Sequence, residues 1–180
     1  HYRVTKKSNI SFLKNNIYLI DSGAQYFDGT TDITRTIALG NVTKEQRDRF
    51  TRVLKGHIAI AKLKFNYKTR GSEIDYIARK SLQEIDCDYN HGTGHGIGSF
   101  LGVHEGPQRL FQSQEHKDSF LEPGMIISNE PGYYKAGEYG IRIENLLIIN
   151  KESENKLGFE TISFAPIDLD LILINLLNNF

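Results

Sequence analysis

Four carboxylates and one histidine, in the order Asp21, Asp32, His95, Glu130, Glu144, constrain this chain more than any other feature. The aspartates lie in YLIDSGAQYFDGTTDITRT, the histidine in HGTGHGIGSFLGVHEGP, and the glutamates in ISNEPGYY and GIRIEN. Each acid stands within or beside an apolar stretch, so folding removes it from water at a cost of roughly several kcal/mol per buried ion. Four such charges brought together also repel one another. A fold that gathers them needs positive charge among them. Two divalent cations balance four carboxylates, and the lone imidazole completes one coordination shell. The pattern reads as a two-metal site.

At 180 residues the chain fits about one domain with a real core. Its 22 basic and 22 acidic side chains cancel, so no broad field favours nucleic acid or an anionic membrane. The single cysteine, Cys87, cannot close an internal disulfide, which agrees with a reducing cytosol. No basic residue adjoins it to lower its pKa, so a buried bystander is expected. No signal peptide opens the chain, and no apolar run approaches the roughly 20 residues that span a bilayer. A soluble, cytoplasmic protein is expected.

Tyr18 to Ile20 lead into Asp21, and Thr30 to Leu39 forms a second β-prone run, with Phe27-Asp28-Gly29 as the turn between them. Such a hairpin puts Asp21 and Asp32 on one face. Thr43-x-x-Gln46 is a capping box, followed by a helix with Phe50, Val53, Leu54, Ile58 and Ala61 at i, i+3, i+4 spacing. A second helix from near Ser72 buries Ile74, Ile77, Ala78, Leu82 and Ile85. Gly92, Gly94, Gly96 and Gly98 argue against a helix, so His91 and His95 are not a helical zinc pair. Met125 to Asn129 and Ile141 to Ile149 read as strands, the latter placing Arg142 and Glu144 on one face. Lys151 to Lys156 reads as a solvated turn. His57 and His116 lie outside every motif, as a helix-face and a loop residue, and Tyr26 and Tyr133 read as packing.

The five segments, in this order and spacing, resemble the metallopeptidases of the pita-bread fold, most closely the Xaa-Pro aminopeptidases (aminopeptidase P). The eleven-residue gap from Asp21 to Asp32, the fourteen-residue gap from Glu130 to Glu144, and HGTGHGIGSFLGVHEGP over its length carry the likeness. It implies an α+β fold with a curved mixed sheet flanked by helices, incomplete at the N-terminus. Residues 1–168 are then a partial metallopeptidase catalytic domain and residues 169–180 a divergent C-terminal tail, read as a packed or frayed helix. Further sequence ahead of His1, with the first helices and a preceding domain, is implied, and family members often form homodimers.

The resemblance also implies roles. Asp32 and Glu144 bridge two cations, Asp21 holds one, and His95 with Glu130 holds the other. Oxygen-rich ligation without thiolate favours Mn2+, with Co2+ or Zn2+ as alternatives. His91, His104 and Glu130 form the catalytic group around a metal-bridged hydroxide: Glu130 moves the proton and His104 donates to the oxyanion. His1, His91, His104 and Tyr134 line the substrate pocket, and Arg142 orients Glu144 or the peptide. Thr34 is either a partner of a metal-bound water or a plain strand residue. The implied activity is hydrolysis of the bond before a proline in second position of a peptide. The alternatives are a prolidase cleaving X-Pro dipeptides, a catalytically impaired fragment of a split or truncated aminopeptidase P, and a non-catalytic binding relative.

Overall fold

The computed structural model describes residues 5–100, 102–112 and 118–177. His1 and His116 fall outside the described residues. Strands β1 (Asn16–Tyr26) and β2 (Gly29–Leu39) form the expected hairpin, turning at Phe27-Asp28. Its register sets Asp21 opposite Thr34 and Gly23 opposite Asp32. Opposed residues share a face, as do residues two apart, so both aspartates project from the same face. Tyr26, at the end of β1, is exposed rather than packed, because the hairpin tip runs into solvent.

Helix α1 (Lys44–Ala61) starts where the capping box sets it. Thr43 Oγ1 accepts from the Gln46 amide at 3.1 Å, and Gln46 Oε1 accepts from the Thr43 amide at 2.8 Å. The helix buries Phe50, Val53, Leu54 and Ile60. His57 is buried as well, so its place on the helix face is an inward one. Its carbonyl accepts from Asn129 Nδ2 at 2.9 Å, and burial, aided by the Arg35 charge, pushes the imidazole down to about 4. A 3-10 turn at Gly71–Glu73 precedes α2 (Asp75–Gln83), which buries Ala78 and Leu82, while Ile77 and Ile85 are half-buried. The two helices touch: a Cβ on Gly56 would lie 2.0 Å from the Ala78 carbonyl oxygen.

Strands β3 (Lys64–Asn66), β4 (Gly94–Ile97), β5 (His104–Leu110) and β6 (Ile126–Asn129) belong to one sheet. A separate hairpin, β7 (Gly132–Lys135) with β8 (Tyr139–Arg142), follows, and β9 (Asn145–Ser153) and β10 (Lys156–Thr161) complete the sheet in the order β3-β10-β9-β6-β4-β5. Every named pairing among the described residues is antiparallel, narrower than the mixed sheet expected. One apolar cluster packs the end of α1 and α2 against this sheet through Ile60, Ala78, Ile127, Leu147 and Leu157. A second joins Phe50, Val53 and Leu82 to Ile141 and Ile143, with Cys87 half-buried at its margin.

Two further segments differ from the expectation. The run from Ile141 to Ile149 is not one strand but β8 and β9, broken at Ile143-Glu144. The break arises because β2 takes the backbone there: Thr36 Oγ1 bonds the amide and carbonyl of Arg142, Arg35 Nη1 donates to the Glu144 carbonyl at 2.6 Å, and the Glu144 amide donates to the Thr34 carbonyl. Lys151 to Lys156 is mostly strand, with only Glu154-Asn155 turning, although its side chains are solvated as expected. Beyond residue 168 a 3-10 turn at Leu169–Leu171 buries Leu171 beside Phe50, and a short helix α3 (Ile174–Leu177) follows.

The α1–α2 contact and the α1 cap make separable predictions for urea unfolding. Gly56→Ala loses about 1–3 kcal/mol by overpacking against the α2 backbone, despite alanine's better helix propensity. Thr43→Ala loses about 1 kcal/mol from the cap. Wild-type stability in Gly56→Ala would refute the close helix crossing.

Candidate metal centre and active site

His95 is fixed first by its strand. β4 lies between β5 and β6, and glycines on both sides of His95 allow the approach: a Cβ on Gly94 would fall 1.9 Å from the Ser128 carbonyl oxygen, and one on Gly96 1.9 Å from that of Glu105. The His95 amide donates to Ser128 Oγ at 2.9 Å. Its Nδ1 lies 2.9 Å from the Gly96 carbonyl, which can only accept, so that nitrogen carries the proton. The Nε2 lone pair then faces Glu130 Oε1 at 3.1 Å and Asp32 Oδ2 at 3.6 Å. A lone pair aimed at two carboxylates is repulsive unless a proton or a cation stands between them.

The charges around it record the same conflict. Burial disfavours the imidazolium, but the hydrogen bond to Glu130 and the Glu130 and Asp32 charges outweigh it and raise His95 to about 9. Burial, reinforced by the charges of Glu130 and Asp32, pushes Glu144 up to about 8, even though Thr34 Oγ1 donates to its Oε2 at 2.6 Å. Asp32 rises to about 6 through burial and the Asp21 charge, against the opposing pull of His95 and Arg142. Burial also works against the Glu130 carboxylate. The His95 hydrogen bond and charge, with Ser128 Oγ donating at 2.9 Å, nonetheless keep its pKa below the ordinary value.

Ligand atoms of Asp32, His95 and Glu144 lie within 4.8 Å of one another, the one such group among the described residues. Glu130 adjoins it through His95. Asp21 stands outside it, half-exposed, accepting from Arg142 Nη2 at 2.6 Å. The donor set fits hard divalent cations: carboxylate oxygens dominate, one imidazole has its free nitrogen turned inward, and protons held by His95 and Glu144 are what cations would replace.

A cavity of about 320 Å³ opens beside this group, lined in part by His91, His95, His104, Glu130 and Arg142. A larger hollow of about 680 Å³, between residues 5–13 and the base of the first hairpin, has no histidine, cysteine or acid in its lining. In the first cavity His104 meets His95 edge to face, ring centres 4.3 Å apart. His91 bonds the Gly92 carbonyl through Nδ1 at 2.8 Å, so its Nε2 accepts from Tyr134 at 2.7 Å. Burial lowers the His91 pKa and keeps the ring neutral. Arg142 donates to Tyr134 Oη at 2.9 Å and approaches Thr34 Oγ1 at 3.4 Å and Glu130 at 3.8 Å. Thr34 therefore serves Glu144 directly.

Three contributors escaped the sequence reading. Ser128, in β6, sits two residues before Glu130, just past the strand's end, and strand alternation continued by one residue could have flagged it. Arg109 and Phe111 also line the cavity, Arg109 directly opposite His95. Their signal was hidden because Gly106-Pro107 disguises β5 as a loop. Proline is tolerated there because β5 is the sheet's edge.

Known proteins resemble this chain in sequence and in fold. The chain is 44% identical over 182 residues to Xaa-Pro aminopeptidase 1 of Dictyostelium discoideum, covering 98% of this chain and 29% of that protein. It is 45% identical over 186 residues to aminopeptidase P2 of Arabidopsis thaliana, covering 99% and 26%. The X-prolyl aminopeptidase of Caenorhabditis elegans, a cytosolic enzyme with a di-nuclear active site, superposes with a TM-score of 0.91 at 38% identity, over 98% of this chain and 29% of that one. A Xaa-Pro dipeptidase from Bacillus anthracis superposes with a TM-score of 0.72 at 34% identity, over 84% and 40%. The chain thus spans less than a third of the Dictyostelium, Arabidopsis and Caenorhabditis proteins, and the expected pita-bread likeness holds over nearly all of it. With the metallopeptidase family M24 pattern matched from residue 1 to residue 151, the chain belongs to that family.

Proposed function

We propose that this chain carries the metal centre of an aminopeptidase that removes the N-terminal residue preceding a proline, acting in the cytoplasm. The observation that carries the reading is His95 Nε2 turned into a group of buried acids beside an open cavity. Asp21, Asp32, His95, Glu130 and Glu144 would hold two divalent cations, with manganese favoured by the oxygen-rich set. When bound, such a pair polarises the scissile carbonyl and lowers the pKa of water toward neutrality. Among the chain's own groups, Glu130 takes the attacking water's proton and passes it to the leaving nitrogen. His104, exposed on the cavity wall, donates to the developing oxyanion. Arg142 holds Asp21 and Tyr134 in place, and Tyr134 fixes the neutral His91 as a wall for the proline ring. A prolidase is the second reading, favoured by the structural likeness to a Xaa-Pro dipeptidase.

Three measurements test this. Isothermal titration should find two Mn2+ per chain, and Glu130→Gln should weaken binding and cut turnover of an Xaa-Pro peptide by about 10²–10⁴-fold. No bound manganese would end the proposal. Hydrolysis of a tripeptide with proline second should exceed that of the matching dipeptide, and activity confined to dipeptides would favour the prolidase.

The third measurement is stability against pH. Asp32, Glu144 and His95 hold protons more tightly in the folded, metal-free chain than in the unfolded one, so their contribution is present in acid and lost as pH rises through about 6, 8 and 9. His57, lowered to about 4, acts oppositely and costs stability as pH falls below about 6.5. The metal-free melting temperature should therefore fall on the alkaline side, and Mn2+ should raise it far more near pH 8.5 than near pH 5. An equal shift at both pH values would refute the proton-for-cation exchange.

A further inference from the structure

Arg35 is buried, yet no carboxylate contacts its guanidinium among the described residues. Its donors all go to neutral oxygens. Nη1 donates to the carbonyls of Thr34 at 2.8 Å and Glu144 at 2.6 Å. Nη2 donates to the Ala165 carbonyl at 2.8 Å and to Asn145 Oδ1 at 3.2 Å. Nε is shared between the Ala165 and Pro166 carbonyls at 3.2 and 3.1 Å. Burying a cation among carbonyls alone is costly, and only a rigid planar fork satisfies so many acceptors at once.

The acceptors are not arbitrary. They are the Glu144 carbonyl and the Asn145 side chain, where β8 gives way to β9, with the Thr34 carbonyl on β2 and the extended segment after β10. That segment is tied in a second time: Asn145 Nδ2 donates to the Ser163 carbonyl, and the Leu146 amide donates to Ser163 Oγ at 2.7 Å. Glu144 is thus held from three directions. Thr34 Oγ1 fixes its carboxylate, the Thr34 carbonyl its amide, and Arg35 its carbonyl. A carboxylate whose backbone sits in an irregular junction has no ladder of its own to set its direction. Here the guanidinium replaces that ladder.

We propose that Arg35 is the positioning residue for Glu144, and that residues 163–166, beyond the last of the five candidate ligands in sequence, form the back wall of the metal centre, Ala165 and Pro166 acting through Arg35 and Ser163 through the Asn145 side chain and the Leu146 amide. The inference rests on the metal-centre reading above. Support of this kind behind a ligand is worth about 10–100-fold in metal affinity.

The test uses the 180-residue chain and Mn2+ alone, with titration calorimetry at pH 8 and circular-dichroism melting of the metal-free protein. Arg35→Met should weaken Mn2+ binding about 10–100-fold. Arg35→Lys should recover part of that loss, since it keeps the charge but reaches fewer carbonyls. Ser163→Ala should weaken binding in the same direction by a smaller factor. If Arg35→Met does not fold, Arg35→Lys and Ser163→Ala carry the test. Lower melting temperatures with unchanged affinity would reduce Arg35 to scaffold and overturn the proposal while leaving the metal centre standing. A wild-type chain that binds no Mn2+ would overturn both.

Discussion

Repulsion among buried carboxylates is the constraint around which this structure is organised. Asp32 and Glu144 are nearly inaccessible, Glu130 faces them across His95, and Arg142 comes no nearer to Glu130 than 3.8 Å. A hydrophobic substitution at such positions would relieve the electrostatic penalty, so the acids are not there for stability. Neutral hydroxyls do the holding instead: Thr34 donates to Glu144 and Ser128 to Glu130. Hydroxyls orient a carboxylate without neutralising it. The nearest guanidinium, Arg142, is spent on the outlying Asp21 and on Tyr134. The metal-free group relieves its repulsion by holding protons, and a cation that displaces them meets the full negative charge, which is the electrostatic condition for binding cations.

Much of this was legible in the chain because local rules dominate where the elements are regular. The capping box set the start of α1, the turn between two β-prone runs set the first hairpin, and period-two alternation put Asp21 and Asp32 on one face. Glycines around His95 excluded a helix and gave the close strand packing that geometry now explains. What stayed hidden was long-range. The break between Arg142 and Asn145 leaves no mark in an alternating run of isoleucines, since its cause lies more than a hundred residues away in Thr34, Arg35 and Thr36. β5 was missed because a proline spoils the strand pattern only if the strand is interior, and sequence does not say which strand is the edge. His57 shows the converse: a polar residue on a helix, buried because its turn faces the sheet.

The candidate ligands come from separate pieces of the sheet structure. Asp21 and Asp32 belong to the first hairpin, His95 to β4, Glu130 to the residue after β6, and Glu144 to the junction before β9. No two of these segments are adjacent in sequence, so the group does not exist in the unfolded chain. Cation binding and folding are then one equilibrium: ions that bind only the assembled group stabilise the fold by mass action, and any loss of packing between the hairpin and the sheet weakens the ions' hold.

The state of His91 bears on why a proline ring would suit the cavity. With Nδ1–H committed to the Gly92 carbonyl and Nε2 accepting from Tyr134, the ring has no donor or lone pair left for a ligand. It packs at 4.8 Å from Tyr89 and edge-on to Tyr134 at 5.3 Å, so what it can offer the cavity is ring surface. A secondary amide entering there would bring an N–H with nowhere to donate along this wall, and an unpaired buried donor costs about 1–3 kcal/mol. The tertiary amide before proline has no such N–H. On the proposed reading, discrimination for proline therefore comes less from an attractive contact than from a wall whose own hydrogen bonds are already complete.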